Sequence, residues 1–361
     1  MTCMKKARPK PLQWLKKPIL WGRLSKKDWQ NDYKKLLPCL IIFLLFSGCS
    51  FSSATIGMEQ DKGVDALTSS KGNFTADARV VDVVNDESFD GFGRLIFPVD
   101  RQLGENMKLK DIGDIMLWYS NVSPQKTVEI VNYMREERLA EHQIFYPIYT
   151  EQEMKADPSK RNTGLFFFRG GPGNKVAILN AGGGFYYVGA MHDSFPHALE
   201  LSKKGYNAFA LIYRPDAQTA CEDLARAIAF LHEHADELGI DMKNYSLWGG
   251  SAGARMAAWL GSLGTETFGE RAYPRPAAVI MQYTGLSEVY GNEPPTYNCV
   301  GTSDGIAPYG VMEQRIQRIR ANGTNAEIDI YPGLPHGFGL GEGTVAEGWI
   351  NHAVTFWEKQ N

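Results

Sequence analysis

From about residue 164 to its end the chain alternates short apolar runs with helical patterns, and few architectures accept that rhythm. The runs are Leu165–Phe168, Val176–Asn180, Ala208–Tyr213, Tyr245–Trp248, Ala277–Tyr283, Thr296–Val300 and Glu327–Tyr331. The clearest helical segment between them is Ala220–Leu238, whose Leu224, Ile228, Leu231 and Ala235 fall on one helix face. Asp193 or Ser194 is placed to cap another helix, which carries Ala198, Leu199 and Leu201. Strands that alternate with helices pair through crossovers, so the sheet is expected to be mostly parallel with helices on both faces. Residues 164–361 therefore read as one doubly wound α/β domain.

Composition narrows the alternatives. The chain has 361 residues, 43% of them hydrophobic, which excludes a disordered chain, a collagen and a disulfide-rich miniprotein. No stretch holds 18 uninterrupted apolar residues, which excludes a multi-span membrane protein. Charge is divided unevenly. Residues 1–35 carry 11 Lys/Arg against 2 Asp/Glu, residues 36–48 carry none, and residues 49–361 carry 27 against 39. An acidic body repels phosphates and argues against a nucleic-acid partner. Residues 77–163 are less regular. Val80–Val84 and Leu95–Pro98 read as strands and Val128–Arg138 as a helix, while Pro147 and Pro158 break up the stretch up to residue 163. This region is expected to be an N-terminal extension that packs on the core and covers a site there, or one that supplies only the first edge strands.

The first 48 residues have the layout of an export signal. A basic stretch ends at Lys34-Lys35, an apolar run spans Leu36 to Phe46, and small residues come next in Ser47-Gly48-Cys49-Ser50. The apolar run is too short to cross a bilayer as a helix. The basic stretch is longer than a signal requires, so the true translation start is expected inside it. Phe46-Ser47-Gly48-Cys49 resembles a bacterial lipobox. That resemblance implies lipidation of Cys49, an exported protein anchored in the cell envelope, and a Ser-, Thr- and Gly-rich tether over residues 49–76. Cys221 and Cys299 are expected to be separate buried thiols.

Four stretches carry chemistry. Strand Tyr245–Trp248 runs into Gly249-Gly250-Ser251-Ala252-Gly253 and then into the helix-forming Ala254–Leu260. Gly-x-Ser-x-Gly on a sharp strand-to-helix turn lifts a serine hydroxyl clear of the sheet, with a helix N-terminus behind it to favour developing negative charge. Strand Val176–Leu179 leads into Asn180-Ala181-Gly182-Gly183-Gly184-Phe185. Successive glycines past a strand present free amides to a substrate oxygen, so Gly183, Gly184 and Ala252 are the expected oxyanion donors. No Lys-Ser/Thr comes after the glycines, which argues against a phosphate loop. His336, between Pro335 and Gly337 after a late strand, is the candidate base. Asp304 comes after strand Thr296–Val300 and is the candidate for orienting that imidazole. Glu288 and Glu293 compete with it, but neither stands directly after a strand. The spacings, 53 residues from Ser251 to Asp304 and 32 to His336, leave room for intervening strands and helices.

On these motifs the chain resembles the α/β-hydrolases, and among them bacterial acetyl and feruloyl esterases that act on plant polysaccharide side chains. The resemblance covers about residues 164–361 and rests on Ala181-Gly182-Gly183-Gly184-Phe185, Gly249-Gly250-Ser251-Ala252-Gly253, Gly301-Thr302-Ser303-Asp304 and His336-Gly337-Phe338-Gly339. It implies an eight-stranded, mostly parallel sheet, a triad of Ser251, Asp304 and His336, and an acyl-enzyme route with no metal or organic cofactor. Relatives carry His before the three glycines where this chain has Ala181. The implied substrate is a small ester or an acylated polysaccharide, with Phe185, Tyr186, Tyr187 and Phe338 as an aromatic platform or as core residues. Two other readings stay open at this level: a serine peptidase of the prolyl-oligopeptidase type, and a non-catalytic glycan-binding lipoprotein.

Overall fold

The computed structural model describes residues 72–360. The proposed signal, Cys49 and all but the last few residues of the tether lie outside them. Eight strands form one sheet: β1 Phe145–Tyr146, β2 Gly164–Phe168, β3 Lys175–Asn180, β4 Asn207–Ile212, β5 Asp241–Gly250, β6 Ala278–Gln282, β7 Thr296–Gly301 and β8 Ala326–Tyr331. Their spatial order is β1-β2-β4-β3-β5-β6-β7-β8. The β1–β2 and β2–β4 pairs are antiparallel and the rest are parallel. This is the mostly parallel sheet that the alternating runs predict, with the eight strands that the α/β-hydrolase resemblance implies.

Strands β2, β4, β6 and β7 are buried along their whole length, which is why they read as continuous apolar runs rather than alternating ones. Chain direction across the sheet reverses at β3, which has β4 on one side and β5 on the other. In open parallel sheets the crevice outside the C-terminal ends of such strands is where ligands bind. Asn180 at the end of β3 lies in register with Gly249 at the end of β5. The glycine loop and Ser251 therefore leave the sheet side by side.

Four sequence expectations are corrected. Val80–Val84 is a helix, with Val80 and Val83 buried and Arg79 paired to Asp82, because packing on one face outweighs the strand preference of valine. Instead of a strand at Leu95–Pro98, residues Gly93–Ile96 form a 3-10 turn. Neither Asp193 nor Ser194 caps the helix Phe195–Lys203 with its side chain. Pro196 in the first turn lacks one of the amides a cap would satisfy, and Asp193 is engaged elsewhere. The segment expected as Ala220–Leu238 is two helices, Ala217–Glu233 and Ala235–Leu238, and Val128–Arg138 lies within a helix over Pro124–Leu139. Cys221 and Cys299 are separate buried thiols. No helix among the described residues is long and apolar enough to cross a membrane.

Candidate active site

Ser251 occupies the turn between β5 and the helix Ala252–Leu263 with φ 51° and ψ −112°. A non-glycine residue there is strained by about 1–3 kcal/mol and persists only where the surroundings impose it. Two contacts impose it here. The Ser251 amide donates to the Gln282 carbonyl at the end of β6 (3.0 Å). The helix start abuts β3 so closely that a β-carbon on Gly253 would lie 1.9 Å from the Asn180 carbonyl oxygen.

The three residues expected from three distant motifs meet in one chain of hydrogen bonds. Ser251 Oγ lies 3.1 Å from His336 Nε2, and His336 Nδ1 lies 2.8 Å from Asp304 Oδ2. The other carboxylate oxygen of Asp304 accepts the amides of Ile306 (2.9 Å) and Ala307 (2.7 Å). An ionised Asp304 has no proton to give, so Nδ1–H donates to it and Nε2 is left to accept from the serine. His336 and Asp304 are buried and Ser251 is half-buried. This arrangement can draw a proton from a serine hydroxyl as that hydroxyl attacks a carbonyl. Glu288 and Glu293, the rival acids, are elsewhere: Glu293 accepts the amides of Tyr290 and Gly291.

The glycine loop turns through Gly183 (φ 121°), Gly184 (φ 62°) and Phe185 (φ 60°). Its first two carbonyls and first amide are engaged. Gly182 donates to Asp193 Oδ2 (2.7 Å), Gly182 O accepts from Gly189 N (3.0 Å), and Gly183 O accepts from Tyr186 N (2.9 Å). No acceptor among the described residues takes the amides of Gly183 or Gly184. Ala252 opens its helix, where amides have no intrahelical partner. Tyr213 holds the loop at Ala181, donating to its carbonyl (2.6 Å). Phe185 stacks on Trp259 (centroids 6.2 Å apart) beside the loop.

Sequence reasoning missed the groups that bind these parts together. Asp193 is a buried carboxylate that accepts from the Gly182 amide, the Tyr119 hydroxyl (3.1 Å) and the Tyr283 hydroxyl. Burial and then Asp193 push both phenols well above their ordinary pKa, so they remain donors. Tyr283 in turn sets its ring edge-on to His336 (5.0 Å). The β-carbon that a larger residue would place at Gly250 falls 2.3 Å from Asp193 Oδ2, which explains the glycine before Ser251.

A second set of contacts holds the histidine loop. Ser120 Oγ donates to the His336 carbonyl (3.1 Å), Ser120 N donates to the Gly337 carbonyl (3.1 Å), and His192 Nε2 lies 2.9 Å from that same oxygen. Burial lowers the His192 pKa, so its ring is neutral and donates through Nε2. Ser120 comes from the N-terminal region, on a segment bracketed by Trp118 (φ 71°) and Asn121 (φ 59°). Of the expected aromatic platform, Tyr187 and Phe338 are buried core residues. Tyr186 is 75% exposed and packs beside half-buried Trp118 (6.1 Å). Among the described residues no group of three His, Cys, Asp or Glu side chains is placed to hold a metal ion.

Comparison with known proteins agrees with the fold. Residues 170–308 match the BD-FAE family model. An acetyl ester-xyloside bifunctional hydrolase from Caldicellulosiruptor lactoaceticus superposes with a TM-score of 0.52 at 21% identity, over 60% of this chain and 95% of that one. Thermogutta terrifontis esterase 2 gives 0.48 at 19% identity, over 55% of this chain and 89% of that one. No curated protein sequence matches the chain.

Proposed function

We propose that this chain, an α/β-hydrolase by fold, is a serine carboxylic-ester hydrolase. The observation that carries the reading is the unbroken line from Asp304 through His336 to Ser251, beside the uncommitted amides of Gly183 and Gly184. Ser251 Oγ attacks the ester carbon while its proton passes to His336 Nε2. The carbonyl oxygen becomes an oxyanion, received by the amides of Gly183, Gly184 and Ala252. Collapse breaks the bond to the alcohol oxygen, which takes the proton from His336 and leaves an acyl-serine. Water then repeats the sequence: His336 accepts its proton, the hydroxide oxygen bonds to the acyl carbon, and the acid departs as Ser251 regains its hydrogen. Asp304 remains ionised throughout and stabilises the imidazolium.

The substrates in this reading are polysaccharides bearing acetyl or hydroxycinnamoyl esters. Exposed Tyr186 and half-buried Trp118 beside the glycine loop support it, since such faces stack on sugar rings. So do the match to BD-FAE and the likeness to the acetyl ester-xyloside hydrolase of Caldicellulosiruptor. Incubated with acetylated xylan and with feruloylated oligosaccharides, the full chain is expected to release acetate or ferulate. Release from neither, by a protein that hydrolyses 4-nitrophenyl acetate, would refute the polysaccharide reading. Anchoring through a lipid on Cys49 is part of the same proposal. Cys49→Ala is expected to move the protein from the membrane pellet to the supernatant, and continued pelleting would refute lipidation.

A further inference from the structure

Arg255 stands one helical turn after Ser251, the spacing that puts two residues on one face about 6 Å apart along the axis. Its guanidinium reaches toward the loops that leave β6 and β7. A β-carbon placed on Gly285 would lie 3.5 Å from Arg255 Nη2 and 4.0 Å from the Cα of Ala307, whose amide holds Asp304. The group thus lies at the C-terminal edge of the sheet, among the loops that frame Ser251 and Asp304. On its other side, one turn further along the helix, stands Trp259, which carries Phe185 of the glycine loop.

Arg255 differs from other partly buried arginines of the chain. Arg214 is held by Asp157 and Asp223, Arg226 by Glu233 and Glu270, and Arg94 by backbone carbonyls. Among the described residues Arg255 has no hydrogen-bond acceptor and no carboxylate at ion-pair distance; Glu288 acts on it only from further away. Its side chain is half-buried, and burial lowers its pKa. No Arg255 nitrogen is buried without a partner, so the guanidinium is open to a ligand from solvent, and its planar fork of donors fits a carboxylate with two parallel hydrogen bonds.

We propose that Arg255 is the anion-recognising residue of the substrate cleft, and that the preferred esters carry a second, ionised carboxylate. This inference rests on the ester-hydrolase reading and narrows its substrates to acidic ones. The carboxylate belongs either to the acyl group, as in a dicarboxylic monoester, or to the alcohol, as in an acylated uronate. Two substrate pairs separate these sources. Mono-4-nitrophenyl glutarate against 4-nitrophenyl butyrate places the charge on the acyl side. 4-Acetoxybenzoate against 4-acetoxybenzamide places it on the alcohol side.

For one of the pairs, the ratio of kcat/KM for the anionic over the neutral ester is expected to fall about 30-fold in Arg255→Gln. Arg255→Lys, which keeps the charge and loses the fork, is expected to restore part of it. Ratios unchanged by both substitutions, in both pairs, would overturn the proposal. If no ester is hydrolysed the ester-hydrolase reading fails, and a separate measurement still decides this one. Calorimetric titration of glutarate into the full chain at low salt is expected to show binding that weakens at least tenfold in either variant. Absence of binding to the unaltered chain would overturn the anion site itself.

Discussion

Replacing Ser251 by Ala is expected to lower kcat for 4-nitrophenyl acetate by about 10⁴- to 10⁶-fold, leaving the far-UV circular dichroism and the melting midpoint close to those of the parent chain. The size reflects what the hydroxyl does. It supplies the electron pair that attacks the carbonyl, and no other nucleophile lies within hydrogen-bond distance of His336 Nε2 among the described residues. Stability should change little because Ala fits the strained turn as well as Ser does. The amide that pins the turn to Gln282 is unaffected, and the lost hydroxyl has one hydrogen-bond partner, at a half-buried position. Residual turnover above about 1% of the parent rate would refute Ser251 as the nucleophile. A parallel loss of turnover and of the melting transition would assign the effect to folding instead.

Asp193→Ala is expected to cost about 3–5 kcal/mol of stability and to remove most of the activity of the chains that remain folded. Its carboxylate accepts three donors, the Gly182 amide and the hydroxyls of Tyr119 and Tyr283. Alanine leaves the buried Gly182 amide and Tyr283 hydroxyl without a partner, at about 1–3 kcal/mol for each orphaned group, and the half-buried Tyr119 hydroxyl adds less. The catalytic loss has a separate cause, because Gly182 leads the glycine loop and Tyr283 flanks His336. Asp193→Asn keeps one acceptor oxygen but turns a donor toward another donor, so it should fall between the two. Urea melts and kcat at saturating ester check this. A variant that melts and turns over like the parent would show that Asp193 is dispensable.

The contrast between Ser251 and Asp193 shows which parts of the site were legible in the sequence. Ser251 stands directly after an apolar strand, and Asp304 and His336 come within a few residues of the ends of theirs, in turns rich in glycine or small residues. Local pattern therefore places each at the same edge of the sheet before any contact is known. Asp193 carries no such signal. Standing before an apolar helical pattern it reads as a cap, while its partners Tyr119 and Tyr283 are 74 and 90 residues away. The same holds for Tyr213, which steadies the loop at Ala181, and for Ser120 and His192, which bond to backbone carbonyls around the histidine. Val80–Val84 misled for another reason. Five residues rich in valine satisfy a strand pattern and a one-face helix equally, and only the packing of Val80 and Val83 decides. Parallel strands buried on both faces, by contrast, leave an apolar run that is hard to misread.

The bond from Ser120 to the His336 carbonyl joins positions 216 residues apart. At a synthesis rate of about 5–20 residues per second, roughly 10–40 s pass between the emergence of the two. For much of that interval Ser251 is already made while the loop carrying its base does not exist. The segment around Ser120 can already meet Asp193 through Tyr119, but not the histidine loop. A nascent chain thus lacks a complete triad until its last few dozen residues arrive.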